Sequence, residues 1–178
     1  MVEIMLKIFT DNTKDWLGLK AGQQVLLSGV IYTARDQAHK RLVEAVNSGR
    51  NLPLSLQGKV IYYCGPTSAK RGAVIGSCGP TTSARMDIYT PVLLEKGVKG
   101  LIGKGRRSRQ VRLSLKEHKA LYFLAPAGCG ALLTQNVIQR KLVAFKDLGP
   151  EAIYELEVKD FPLIVGIDSH GRGVYGDL

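Results

Sequence analysis

The stretch ALYFLAPAGCGALLTQNVIQ, residues 120–139, carries no charge, and it limits what the chain can fold into more than any other segment. A run of about twenty apolar residues is long enough for a helix to cross a bilayer. This one is interrupted by Pro126, Gly128 and Gly130 and ends on Thr134, Gln135 and Asn136. It therefore reads as a buried strand, a glycine loop and a helix within a globular core, and not as a membrane span. The remainder suits that reading: 178 residues, 45% hydrophobic and 22% charged, fit a single soluble domain over residues 1–178. The opening MVEIMLKIFTDNTKDW has acids near its start and no apolar core of a signal peptide.

Strand and helix patterns interleave along the chain. QVLLSGVIY (24–32) reads as a buried strand interrupted at Ser28-Gly29, followed by a helix that Asp36 would cap and that ends near Gly49. KVIYY (59–63) is a second strand ending in the turn signal CGPT. Thr90-Pro91 reads as a cap and first turn, with Gly97 as the stop. GLIG (100–103) reads as a short buried strand and 108–118 as a basic helix. Further strands are expected over 120–124, 140–147, 153–159 and 162–168. The irregular alternation predicts an α/β fold, a mixed β-sheet with packed helices.

The formal charge is +10, from 25 basic and 15 acidic residues, and the segment from Lys99 to Lys119 holds eight Lys/Arg against one acid, Glu117. Such a balance suits an anionic partner, whether nucleic acid, an acidic protein or a small anionic substrate. The cysteines, Cys64, Cys78 and Cys129, are odd in number and show no CxxC spacing. That excludes a disulfide framework and a self-contained zinc site and fits a reducing cytoplasm.

Three stretches combine glycine or hydroxyls with a cation at an expected strand end or helix start: TARDQAH (33–39), GPTTSAR (79–85) and GKGRRS (103–108). Arg35 beside a helix N-terminus is electrostatically misplaced by roughly 0.3–1 kcal/mol unless an anion joins it or it turns to solvent. Arg85 offers a planar fork and Lys104 a point charge, both suited to carboxylate or phosphate oxygens. Thr81, Thr82 and Ser83 supply short hydroxyls, of which at least one is expected to cap a turn. A phosphate loop around Lys104 is excluded, because position 98 is Val and Gly105 stands where a Ser or Thr would be needed. His39, one turn into the first helix, and His170 in DSHG can each titrate near neutrality, beside the plainer reading of a structural histidine.

With LSGVIYTARDQAHKRL (27–42), YYCGPT (62–67), IGSCGPTTSARMDIYTPVLLEKGVKGLIGKGRRS (75–108) and GIDSHG (166–171) in view, the chain resembles the β subunit of class I iron–sulfur fumarate hydratases and L-tartrate dehydratases. In some members the same region is the C-terminal domain of a longer chain. The resemblance implies a swivelling β/β/α domain and reversible loss of water from a 2-hydroxy dicarboxylate, as in the tricarboxylic acid cycle step between (S)-malate and fumarate. It also implies a [4Fe–4S] cluster held by cysteines of a separate α subunit, an α2β2 assembly and no membrane partner. Carried over by motif, it assigns substrate binding to Arg35, Arg85 and Lys104 and catalysis to Thr81, with His39 as a second acid–base candidate. Ala84 departs from the glycine expected there. A threonine hydroxyl does not ionise near neutral pH, so Thr81 would need an activating partner. The competing readings are tartrate as substrate, an organic-anion-binding domain without catalysis, and a nucleic-acid-binding module centred on KGRRSRQVR (104–112).

Overall fold

The computed structural model describes residues 5–69 and 71–176. Seven strands form one sheet: β1 (Leu6–Phe9), β2 (Gln24–Thr33), β3 (Val60–Tyr62), β4 (Gly100–Gly103), β5 (Leu121–Leu124), β6 (Val137–Ala144) and β7 (Ile153–Ile167). β1 to β5 run parallel in sequence order. β7 is antiparallel to β5, β6 and β2. Because β7 pairs with both β5 and β2, the ladder β2–β3–β4–β5–β7 closes on itself.

Closure sorts the apolar residues into two cores, as the period-two alternation of strand side chains requires. Val60, Tyr62, Ile102, Leu121 and Phe123 point inward against Leu27, Phe161 and Val165. Their neighbours Ile61, Tyr63, Leu101 and Tyr122 point outward under three helices. These are α1 (Asp36–Asn47), α2 (Thr90–Glu95) and α3 (Arg109–Glu117). Ala38 and Leu42, Leu93 and Leu94, and Val111 and Leu115 are the faces they bury. The result is an antiparallel β layer, a parallel β layer and a helical layer, which is the α/β, β/β/α arrangement expected.

The charge-free run resolves as β5, a loop and a single short turn, α4 (Gly130–Leu133), continued by a 3-10 turn over Thr134–Asn136. No helix among the described residues is long and apolar enough to cross a membrane. Ser108 caps α3 by accepting from the Val111 N–H at 3.3 Å. Gly97, at φ +97°, ends α2.

Several expectations are corrected. Residues 153–159 and 162–168 form one strand, not two. It continues through Asp160, at φ +49°, because the irregularity is matched by a bulge between Leu27 and Gly29 on β2, whose Ser28 Oγ accepts the Asp160 N–H at 2.9 Å. β6 starts at Val137, earlier than expected. Thr90 is the first residue of α2 and not its cap. Its hydroxyl donates to the Met86 carbonyl at 2.8 Å. Asp36 is likewise inside α1. The capping role falls to Glu151, whose Oε2 accepts the Gln37 N–H at 3.1 Å and places a negative charge at the helix N-terminus.

Candidate functional site

The carboxyl ends of parallel strands are where open α/β sheets gather their ligands, since the loops there and the following helix N-termini converge. Arg35, Thr81, Arg85 and Lys104 lie on the segments gathered at these ends. β2 delivers Arg35 at the start of α1, and β4 delivers Lys104 directly after Gly103. Thr81 arrives from elsewhere in the sequence. Its N–H donates to the Tyr63 carbonyl at 2.6 Å, just past the end of β3. Thr82 then bridges Lys104 in parallel, the Ser83 N–H donates to the Lys104 carbonyl at 3.0 Å, and the Lys104 N–H returns to Ser83 Oγ at 3.0 Å. Segment 81–83 thus extends the sheet between the ends of β3 and β4. Gly103 permits the approach, because a Cβ there would meet Ser83 Oγ and lie 2.9 Å from Tyr63 Cδ2.

This strand-like course explains the consecutive hydroxyls. Thr81 is half-buried, Thr82 exposed and Ser83 wholly buried. The expected capping role is not found: Thr82 precedes a 3-10 turn, Ser83–Met86, yet its side chain makes no capping bond. Ala84 has no positive φ, so an alanine where the resemblance implies glycine forces no strain.

The turn projects Arg85 toward α1, where its Nε lies 3.1 Å from Asp36 Oδ1 and its Nη2 donates to Asp36 Oδ2 at 3.1 Å. Arg35 lies near the same carboxylate, with its Nε 4.0 Å from Asp36 Oδ2 and its Nη2 3.4 Å from Glu151 Oε1. The charge of Arg35 at the helix start is therefore answered from within the chain. Its methylenes pass beside Gly65, where a Cβ would fall 2.9 Å from Arg35 Cδ. Lys104 is half-buried, and among the described residues its ammonium has no carboxylate within 4 Å. Two arginines answered by the carboxylates of Asp36 and Glu151, and a lysine without one, leave an excess of positive charge on this wall. A pocket of about 200 Å³ near the 104–108 turn is lined by Arg106, Arg107, Arg112 and Tyr175 and includes none of Arg35, Thr81, Arg85 or Lys104.

His39 is placed differently. It is completely enclosed, 5.2 Å edge-on to the Tyr63 ring, and its Nδ1 lies 2.8 Å from the Arg35 carbonyl. A carbonyl only accepts, so Nδ1 carries the proton, and Nε2 is buried without a partner. Burial pushes its pKa from the ordinary 6.5 to about 4, with Arg107 adding to the shift and the Arg35 carbonyl and Asp36 opposing it. A neutral, enclosed ring holds the Arg35 backbone; it does not reach the wall where Arg85 and Lys104 stand. Folded and unfolded chains then bind different numbers of protons between these values. Stability is complete above pH 6.5 and falls as pH drops toward 4, by up to about 1.4 kcal/mol per unit. Urea midpoints measured across that window should show the slope in the wild type and lose this part of it in His39→Asn.

His170 lies in the turn after β7, exposed, its N–H donating to the buried Asp168 Oδ1 at 2.9 Å. Ile167 opposes Tyr122 near the amino end of β5, so His170 belongs to the opposite end of the sheet from Lys104. The basic stretch 104–112 faces solvent only in part, with Arg106 and Arg109 exposed. Arg107 is buried against Asp87, Arg112 donates to the Gly171 and Gly176 carbonyls, and Arg106 stacks on Tyr175. By sequence alone Arg107 reads as one more cation of a basic segment. Its partner Asp87 lies twenty positions upstream, and no local pattern links the two.

Among the described residues no group of three or more His, Cys, Asp or Glu side chains could hold a metal ion. Cys64 and Cys78 face each other in the inner core with their sulfurs 2.9 Å apart. The contact with Cys78, then burial, raises the Cys64 pKa well above that of a free thiol. That is packing chemistry, and this donor set does not fit an iron–sulfur cluster.

The profile of the family described as Fumarase C-terminus matches residues 1–178. A Methanocaldococcus jannaschii protein with the provisional name L(+)-tartrate dehydratase subunit beta is 42% identical over 171 residues, covering 93% of this chain and 88% of that one. The L(+)-tartrate dehydratase subunit beta of Escherichia coli K12 is 37% identical over 180 residues, 97% of this chain and 88% of its own. Fumarate hydratase 2 of Leishmania major is 35% identical over 177 residues, 98% of this chain but 31% of that longer protein. The chain therefore spans nearly the whole of the separate subunits and about a third of the single-chain hydratase.

Proposed function

We propose, from the premise that this chain belongs to the fumarase C-terminus family and is a hydro-lyase β subunit, that it supplies the dicarboxylate-binding half of an active site completed by an α subunit. The reaction is the reversible dehydration of (S)-malate to fumarate. The observation that carries the reading is the wall at the ends of β2, β3 and β4: a half-buried lysine without a carboxylate among the described residues, two arginines answered by Asp36 and Glu151, and a half-buried threonine on the segment that bridges to the lysine. A 2-hydroxy dicarboxylate brings two anionic ends that such cations hold by charge-assisted hydrogen bonds. Lys104 and Arg85 orient the carboxylates, Arg35 sets the far edge, and Thr81 handles the proton on the carbon beside one carboxylate.

Half an active site is the right description for two reasons. Thr81 cannot act as a base unaided, and the nearby acids, Asp36 and Glu151, are engaged by Arg35, Arg85 and the α1 N-terminus. The activating acid therefore comes from the α subunit. A [4Fe–4S] cluster, which would act as a Lewis acid on the substrate hydroxyl, sits there too, because the cysteines of this chain do not fit it. The assembly is α2β2 and cytoplasmic. Tartrate is the second reading, favoured because the relatives matching over most of both lengths are named for it.

The test is anaerobic co-expression with the α chain, iron and sulfide reconstitution, and turnover of L-malate and L-tartrate side by side. Activity is expected only in the complex, and the preferred acid names the substrate. Dehydratase activity of this chain alone would overturn the half-site reading, and an intact complex inert to both acids would overturn the substrate class.

A further inference from the structure

We infer that Arg107 is a positioning residue that fixes Thr81, Arg85 and Lys104 relative to one another; this rests on the proposed reading of those three residues. Its side chain is 0% exposed and the pocket it lines includes none of Arg35, Thr81, Arg85 or Lys104, so it acts on the wall through its neighbours, and a buried cation needs partners to offset its lost hydration. Arg107 Nε donates to Asp87 Oδ1 at 2.6 Å and Nη2 to Thr90 Oγ1 at 2.8 Å. The guanidinium lies between two aromatic rings, 5.2 Å from the Tyr63 centroid and 4.9 Å from that of Tyr122. Nη1 is buried without a partner.

Each of these contacts leads to a segment of the wall. Asp87 follows the turn that projects Arg85, and its second oxygen accepts the Ser108 N–H at 2.6 Å. One carboxylate thus ties the Arg85 turn to both ends of the Arg107-Ser108 step, just beyond Lys104. The Tyr122 hydroxyl donates to Ser83 Oγ at 2.9 Å, the atom that also accepts the Lys104 N–H, and lies 3.0 Å from the Gly105 carbonyl. Tyr63, the other ring, gives its carbonyl to the Thr81 N–H. All three segments therefore touch Arg107, its carboxylate or one of its rings. A lysine could not reproduce this, since one ammonium cannot reach Asp87 and Thr90 in a fixed fork while presenting flat faces to two rings.

The test uses the assembled enzyme and whichever diacid the wild type turns over, with Arg107→Lys and Asp87→Asn. The Asp87→Asn amide keeps an acceptor for Ser108 but loses the charge facing Arg107. In complexes that circular dichroism shows to be folded, each variant should raise KM at least about tenfold, because small displacements of binding groups cost that much or more. kcat should fall by less than KM rises. The double variant should be no worse than the poorer single one, as expected of residues acting as a unit. A merely structural arginine would lower the melting temperature and leave KM of the folded enzyme unchanged. If Arg107→Lys does not fold, Asp87→Asn carries the test. An active wild type whose KM these substitutions leave within about twofold overturns this inference alone. An inactive wild-type complex overturns the reading of the site, and this inference with it.

Discussion

Thr81→Ala should lower turnover of the assembled enzyme by about 10²–10⁴-fold, the range for removing one positioned proton-transfer group, while KM moves little. The substitution is clean for structural reasons. What holds residue 81 is its backbone N–H on the Tyr63 carbonyl and the bridge of its neighbour Thr82 to Lys104, and neither uses the Thr81 side chain. Alanine thus preserves the course of the segment and deletes only the hydroxyl. Thr81→Ser keeps that hydroxyl on the same backbone and should retain most of the activity. Steady-state kinetics of the two variants decide the matter. Unchanged turnover in Thr81→Ala would remove this residue from the reaction, and equal losses in both variants would point to packing of the missing methyl instead.

The second large effect belongs to the cations. Lys104→Ala and Arg85→Ala each remove a charge-assisted contact of about 1.5–3 kcal/mol, which raises KM roughly tenfold to over a hundredfold. The two should not be equal. The Lys104 backbone is fixed on both sides by Ser83 and its ammonium is free of carboxylates among the described residues, so its whole charge is offered to a ligand. Arg85 is half-exposed and already pairs with Asp36, so a substrate carboxylate must compete for it. Its loss should fall at the lower end of the range. Substrate titrations of both variants test the ranking, and a smaller KM effect for Lys104→Ala than for Arg85→Ala would contradict it.

Much of the helical layer and the parallel strands was legible, because their signals are local. Gly97 after α2, the basic run of α3 and the buried runs GLIG and ALYFL each specify an element within a few residues. The three motifs were legible one by one, and the fold brings Arg35, Thr81, Arg85 and Lys104 to one end of the sheet. What escaped depends on partners distant in sequence. β1 is four residues long with a mostly exposed pattern, so nothing in LKIF marks it as a strand until β2 lies beside it. The continuity of β7 across Asp160 depends on the opposing bulge at Ser28. The cap of α1 comes from Glu151 and the counter-ion of Arg107 from Asp87, and a charged residue alone does not say which distant group it will meet.

The closed ladder also sets the order in which this protein can become itself. β2 leaves the ribosome well before β7, yet Tyr32 bonds Glu155, 123 positions later, and Gln24 lies opposite Ile164. Until β7 emerges, the inner face of β2 with Val25, Leu27 and Ile31 lacks Phe161 and Val165 to cover it. Contacts so remote in sequence come late, after the entropy of closing a long loop has been overcome. A nascent chain of this kind stays open along one seam until β7 has been made, its apolar surface uncovered in the meantime. The sheet whose strand ends carry the wall is then closed only when β7 seals against β2.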